Sequence, residues 1–129
     1  MHPSTTPLDA PSVETAIDPE VYGALAEIME GEMISLVNDF LSSTGELLAQ
    51  VAAAESVRDP LTMKLHAHSI KSSAATIGAL PLSELARALE ARAASGQFEG
   101  LAHSSAAMHS EFARARTELE RLAAAARGH

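Results

Sequence analysis

The side chains able to do chemistry in this chain are six histidines and seventeen carboxylates, set against nine lysines and arginines. Cysteine is absent, which removes disulfides, thiolate metal sites and a cysteine nucleophile. Histidines among many carboxylates first suggest a metal site, but helix geometry argues against one. His66 and His68 are two positions apart, about 200° around a helix. His103 and His109 are six apart and again fall on different faces. No Glu-x-x-His pair of the di-metal type occurs. Metal ligands must converge and these diverge, so neither a metal nor any other cofactor is expected. What remains is a single imidazole acting alone. An exposed imidazole has a reference pKa of about 6.5 and is largely neutral near pH 7, which makes it a competent nucleophile without a pocket or a base.

His68 is the histidine whose surroundings stand out. On a wheel of about 100° per residue, Met63, Ala67, Ile70, Ala74 and Ile77 share one face. His68 falls opposite them and is expected to meet solvent in mid-helix. Around it lie Leu61, Leu65, Ser72 and Ala75, with Lys64 and Lys71 one turn away on either side. A solvated face usually carries charges; this one carries a histidine on a ridge of apolar and small residues. Small residues let another molecule approach closely, and lysines at i−4 and i+3 favour a dianionic group on the ring. Ser69, Ser72 and Ser73 have no acid–base pair beside them and are not expected to be nucleophiles. Two bland readings stay open at this level: a surface histidine is usually only that, and exposed leucines are common scatter.

The elements that must position this histidine are all helical. Hydrophobic residues make up 47% of the chain but aromatics only 3%, and alanine and leucine, both strong helix formers, dominate. Residues 1–17 contain three prolines among serine and threonine and read as a flexible tail. Asp18-Pro19 is an N-cap followed by proline at the first helical position. A short first helix carries Val21, Leu25 and Ile28 and ends near Gly31. A long second helix spans about Glu32 to Ser56, with Ile34, Val37, Phe40, Leu41, Thr44, Leu47, Leu48 and Val51 in one stripe. Asp59-Pro60 repeats the cap signal and starts a third helix, which Gly78 stops as a C′ residue. Pro81 opens a fourth, with a stripe of Leu82, Leu85, Leu89 and Ala93, closed by Gly96. A fifth runs from about Leu101 to Arg127 with Ser105, Met108, Phe112, Ala115, Leu119 and Leu122 inward. Short connections between the last four favour antiparallel neighbours. The expected fold is all-α: an antiparallel up-down four-helix bundle over residues 18–127 with a short extra N-terminal helix.

Composition narrows the partners. The formal net charge of −8 and the lack of a Lys/Arg cluster exclude a nucleic-acid interface. No run approaches the roughly 18 apolar residues of a membrane span, and residues 1–12 lack the charged and apolar regions of a signal peptide. A cytoplasmic monomer is expected.

The stretch Ala67-His68-Ser69-Ile70-Lys71-Ser72-Ser73-Ala74-Ala75-Thr76-Ile77-Gly78-Ala79 resembles the signature of the histidine-containing phosphotransfer (HPt) family: Ala-His, two residues, Lys, a small residue, Ser, then Gly-Ala a turn later. The order and length of the helices from Asp18 to Arg127 resemble the family as well. Ser72 stands where many members have glycine, a departure that keeps the residue small. The resemblance implies that His68 accepts a phosphoryl group on Nε2. The group would come from the aspartyl phosphate of a receiver domain, in a response regulator or a hybrid histidine kinase, and pass to another receiver. The receiver would supply Mg²⁺ and the acidic pocket, so the bundle is not expected to be an enzyme. Lys71 matches the family's lysine and would act as a charge partner for phosphate, with Ser72 a close-approach residue. The ring needs a hydrogen bond at Nδ1 to orient it, and Glu90 is the candidate, where some members carry glutamine. Leu61, Lys64, Leu65 and Ala75 would form part of the docking surface. The alternative is an adaptor bundle that binds receiver or kinase domains without taking phosphate.

Overall fold

The computed structural model describes residues 15–127. The helices are α1 (Pro19–Met29), α2 (Met33–Ser56), α3 (Pro60–Ile77), α4 (Leu80–Ala94) and α5 (Leu101–Arg127), with a 3-10 turn at Glu30–Glu32. Both Asp-Pro signals act as caps. Asp18 Oδ1 accepts from the amides of Glu20 and Val21, at 2.9 and 3.2 Å. Asp59 Oδ1 accepts from the Thr62 amide, and the Thr62 hydroxyl donates to Asp59 Oδ2 at 2.6 Å. These bonds satisfy amides that the first helical turn leaves open, and they hold the Asp59 carboxyl below its ordinary range.

Helices α2, α3, α4 and α5 pack in sequence order, and α5 closes back on α2, while α1 lies across α2 and α3. The core is aliphatic, with Met63, Ile70, Leu82, Leu89, Met108 and Leu119 fully buried. Phe40 and Phe112 join α2 to α5, their centroids 6.4 Å apart. The closest pair is α3 with α4. Both carry small side chains in the core: Ala67 and Ala74 on α3, Ala86 and Ala93 on α4, all buried. Small side chains at a helix contact shorten the interaxial distance, and that closeness brings a residue of α4 within reach of His68.

Three expectations shift. The packed chain starts before Asp18: Ala16 and Ile17 are buried, while residues 1–14 of the segment read as a tail lie outside the described residues. Helix α1 ends at Met29, close to Gly31 as expected, and the chain turns at Glu30, whose φ is 49°, through the 3-10 turn into α2. Within α1, Tyr22, Leu25, Ala26 and Met29 pack on the core, but Ile28 points to water at 76% exposure. Of the stripe residues, Ile34, Leu47, Leu85 and Leu122 are only half-buried, and Ala86 and Ala123 take the inner positions on α4 and α5.

Gly78 does more than stop α3. Its φ of 93° and the bonds from the Gly78 amide to Ala75 and from the Ala79 amide to Ala74 complete a Schellman motif. Its carbonyl also accepts from the Asp18 amide at 2.7 Å. A Cβ there would stand 3.1 Å from the Asp18 carbonyl oxygen and 3.3 Å from Val21 Cβ. Glycine is thus needed twice, for the left-handed backbone and for the seating of α1. Helix α2 ends in the same motif with Arg58 in the left-handed position, at φ 55°, which no glycine signals in advance.

Candidate functional site

His68 lies midway along α3, flanked in sequence by Ala67, buried in the core, and Ser69, exposed to solvent. Its side chain is 60% exposed. The ring is held from one side only: Nδ1 and Glu90 Oε2 are 2.9 Å apart. Glu90 reaches across from α4, half-buried one helical turn after buried Ala86. Its other oxygen, Oε1, accepts from Lys71 Nζ at 2.9 Å. The carboxylate therefore bridges the histidine and the lysine one turn further along α3.

Glu90 is held below the ordinary glutamate range, first by the hydrogen bond from Lys71, with partial desolvation opposing and the bond to His68 adding to it. An ionised carboxylate only accepts hydrogen bonds. The hydrogen between it and the ring must then sit on Nδ1, so the neutral imidazole of this exposed side chain keeps its lone pair on Nε2. The tautomer thus follows from the partner.

The residues singled out in the sequence fall as follows. Lys71 is 31% exposed and already committed to Glu90, so it bears on the histidine through the carboxylate as well as by its own charge. Lys64 is half-buried and makes no ion pair among the described residues. Leu61 and Leu65 are 63% and 58% exposed, and Ala75, Ser72 and Ser73 are exposed. Ser69 Oγ points back to the Leu65 carbonyl. His66 lines a shallow depression with Gln50, Val57 and Asp59, while His109 Nδ1 pairs with the Ser105 carbonyl at 3.0 Å. Among the described residues no three metal-ligating side chains converge.

Two features of the site are absent from the sequence reading. Ser83 Oγ donates to the Lys71 carbonyl at 2.9 Å, tying the start of α4 to α3 beside the site. Only the helix pairing makes them neighbours. Val57, at the end of α2 where the chain turns toward α3, is 72% exposed and lines the same depression as His66.

An outward histidine on a capped helix, its inner nitrogen tied to a neighbouring helix, occurs here in a four-helix bundle. Residues 35–125 match the family model described as Hpt domain. The chain belongs to the Hpt family. As an Hpt protein it is a phosphotransfer intermediate of two-component signalling, a phosphocarrier and not an enzyme. Hpt proteins interact with receiver and kinase domains. The chain is similar to the crystal structure of histidine-containing phosphotransfer protein B (HptB) from Pseudomonas aeruginosa PAO1. The two share 28% identity and superpose with a TM-score of 0.81 over 82% of this chain and 92% of that one. No curated protein matches the chain. Among the described residues no helix is long and apolar enough to cross a membrane.

Proposed function

We propose that this Hpt protein is a relay between receiver domains, with His68 the phospho-accepting residue. The observation that carries the proposal is the largely exposed ring with Nδ1 hydrogen-bonded to Glu90, which leaves Nε2 as the nitrogen with the free lone pair. In the accepting step Nε2 attacks the phosphorus of a receiver's aspartyl phosphate. The N–P bond forms, and the P–O bond breaks with its electron pair on the aspartate. In the delivering step a second receiver's aspartate attacks the phosphorus and the pair returns to Nε2. The receivers supply Mg²⁺ and the acidic pocket. Glu90 is a positioning residue for the ring, Lys71 places positive charge near the arriving dianion, and Ser72 leaves room for the partner to approach. The expected state is a cytoplasmic monomer.

The docking surface includes Leu61, Lys64, Leu65 and Ala75. A contiguous exposed apolar patch marks an interaction site more often than scattered residues do, and a partner bringing an aspartate to His68 must cover this ground. Leu65→Glu tests both the relay and the surface in one time course, from a phosphorylated receiver through this chain to a second receiver. With wild type, label is expected first on this chain and then on the second receiver. With Leu65→Glu, each transfer is expected to slow by about tenfold or more, because a charge must be desolvated at the interface. The melting temperature is expected to hold, since an exposed site costs little on substitution. Unchanged transfer rates would remove Leu65 from the docking surface. A loss of several kcal/mol in stability, about what core truncations cost, would place Leu65 inside the bundle.

A further inference from the structure

The carboxylate that orients His68 acquires a second role once the ring is phosphorylated, a step that rests on the phosphocarrier reading above. We propose that Glu90 keeps the proton on His68 Nδ1 through the whole cycle, so that the phosphorylated ring is an imidazolium paired with Glu90, the reactive donor form.

The electron count shows why this matters. Before transfer the ring is neutral and carries one proton, on Nδ1. Giving the Nε2 lone pair to phosphorus leaves it with a positive charge. If Nδ1 then loses its proton to water, the ring becomes neutral, and breaking the N–P bond must expel an imidazolate, a far poorer leaving group than imidazole. If Nδ1 keeps its proton, N–P cleavage returns the electron pair to Nε2 and releases neutral imidazole. No proton crosses between protein and solvent in either direction. A carboxylate 2.9 Å from Nδ1 selects the second course, because a hydrogen-bonded opposite charge favours the cation. An amide oxygen in the same place would accept the same bond and orient the ring, but it brings no net charge to hold the proton.

Lys71 sets the strength of the effect. In the free site its ammonium and Glu90 balance each other beside a neutral ring. A phosphoryl dianion on Nε2 offers Lys71 a second acceptor within one helical turn. As Lys71 turns to it, Glu90 faces the imidazolium alone.

The other charged groups on the surrounding elements are weaker influences. Lys64, at i−4 on α3, opposes retention of the proton but does not contact the ring's partner. On α4, Arg87 is bound to Glu84 at 2.7 Å. On α2, Asp39 and Glu46 are exposed. Asp59 is committed to capping α3. Asp18, the cap of α1, meets α3 at Gly78, about 15 Å along the helix from His68 and beyond a Debye length at physiological salt; Glu20 and Glu27 on α1 are exposed.

The test is the pH dependence of phosphate loss from the isolated phosphoprotein. Wild type and Glu90→Gln are loaded with phosphoramidate and followed by phosphorus NMR from about pH 6 to about pH 9, with no receiver present. Wild type is expected to hold its fast hydrolysis to a pH about one unit higher than the variant, so that at about pH 8 it loses phosphate roughly tenfold faster. A second reading uses wild type alone: the nitrogen NMR shift of Nδ1 in the phosphoprotein at about pH 8 is expected to be that of a protonated nitrogen. Coincident pH profiles, or an unprotonated Nδ1 in wild type, would overturn the proposal and leave the phosphocarrier reading standing. Failure of wild-type His68 to take phosphate at all would overturn that reading and this proposal with it.

Discussion

Replacing His68 with alanine is expected to abolish phosphorylation completely while the far-ultraviolet circular dichroism and the melting temperature stay at wild-type values. The argument has two halves. The ring is 60% exposed and its one polar contact is with a surface carboxylate, so its removal deletes little packing. The chemistry has no substitute: His66 sits two positions earlier, in a different environment lined by Gln50, Val57 and Asp59. His66→Ala is therefore expected to retain label. Radiolabel transfer from a phosphorylated receiver measures both variants. If the His66 variant lost label and the His68 variant kept it, the site would be assigned to the wrong histidine.

Ile70→Ala, two residues further along the same helix, is expected to do the reverse. Ile70 is 0% exposed and belongs to the central cluster with Met63, Leu82, Leu89 and Met108. Truncating a buried isoleucine removes transfer energy and leaves a cavity, together about 2–5 kcal/mol. That is a large part of the stability of a domain this size, typically about 5–15 kcal/mol. Denaturant unfolding is expected to show a lower midpoint at unchanged slope, with His68 still able to take label wherever the variant is folded. A loss below about 1 kcal/mol would mean that the face of α3 opposite His68 is not the core face. The paired substitutions thus test the orientation of α3, on which every statement about the site depends.

How much of this was legible beforehand depends on whether the cause is local. The two Asp-Pro starts, the stop at Gly78 and the inward face of α3 follow from capping and periodicity, and each needs only a few neighbouring residues. His68 and its exposure follow from the same wheel. Glu90 was reachable as a candidate because an imidazole nucleophile needs an orienting acceptor, but its sharing between His68 and Lys71 was not. That geometry depends on how α3 and α4 pack against each other, which no single helix's periodicity records. Lys71 was read as a partner for phosphate alone because an ion pair between helices leaves no periodic trace. The Ser83 bond to the Lys71 carbonyl was hidden for the same reason. At Gly78 the helix stop was visible and the seating of α1 was not, since the atoms it must admit belong to Asp18 and Val21, some sixty residues earlier. Ala16 and Ile17 are too short a run to show a pattern beside prolines, yet both are buried. Ile28 kept its helical spacing but lost its partner, because α1 lies on the bundle's surface and buries less than a full stripe.

The chemical stability of the transferred label, mapped to its residue, tests the account most directly. The wild-type chain is incubated with a phosphorylated receiver domain, separated, and split into acid and alkali treatments before peptide mapping. Phosphate on a histidine nitrogen is expected to be lost in acid, to survive in alkali, and to map to the peptide that contains His68. A label that survives acid and maps to Ser69, Ser72 or Ser73, or a chain that binds the receiver and takes no label, would contradict it.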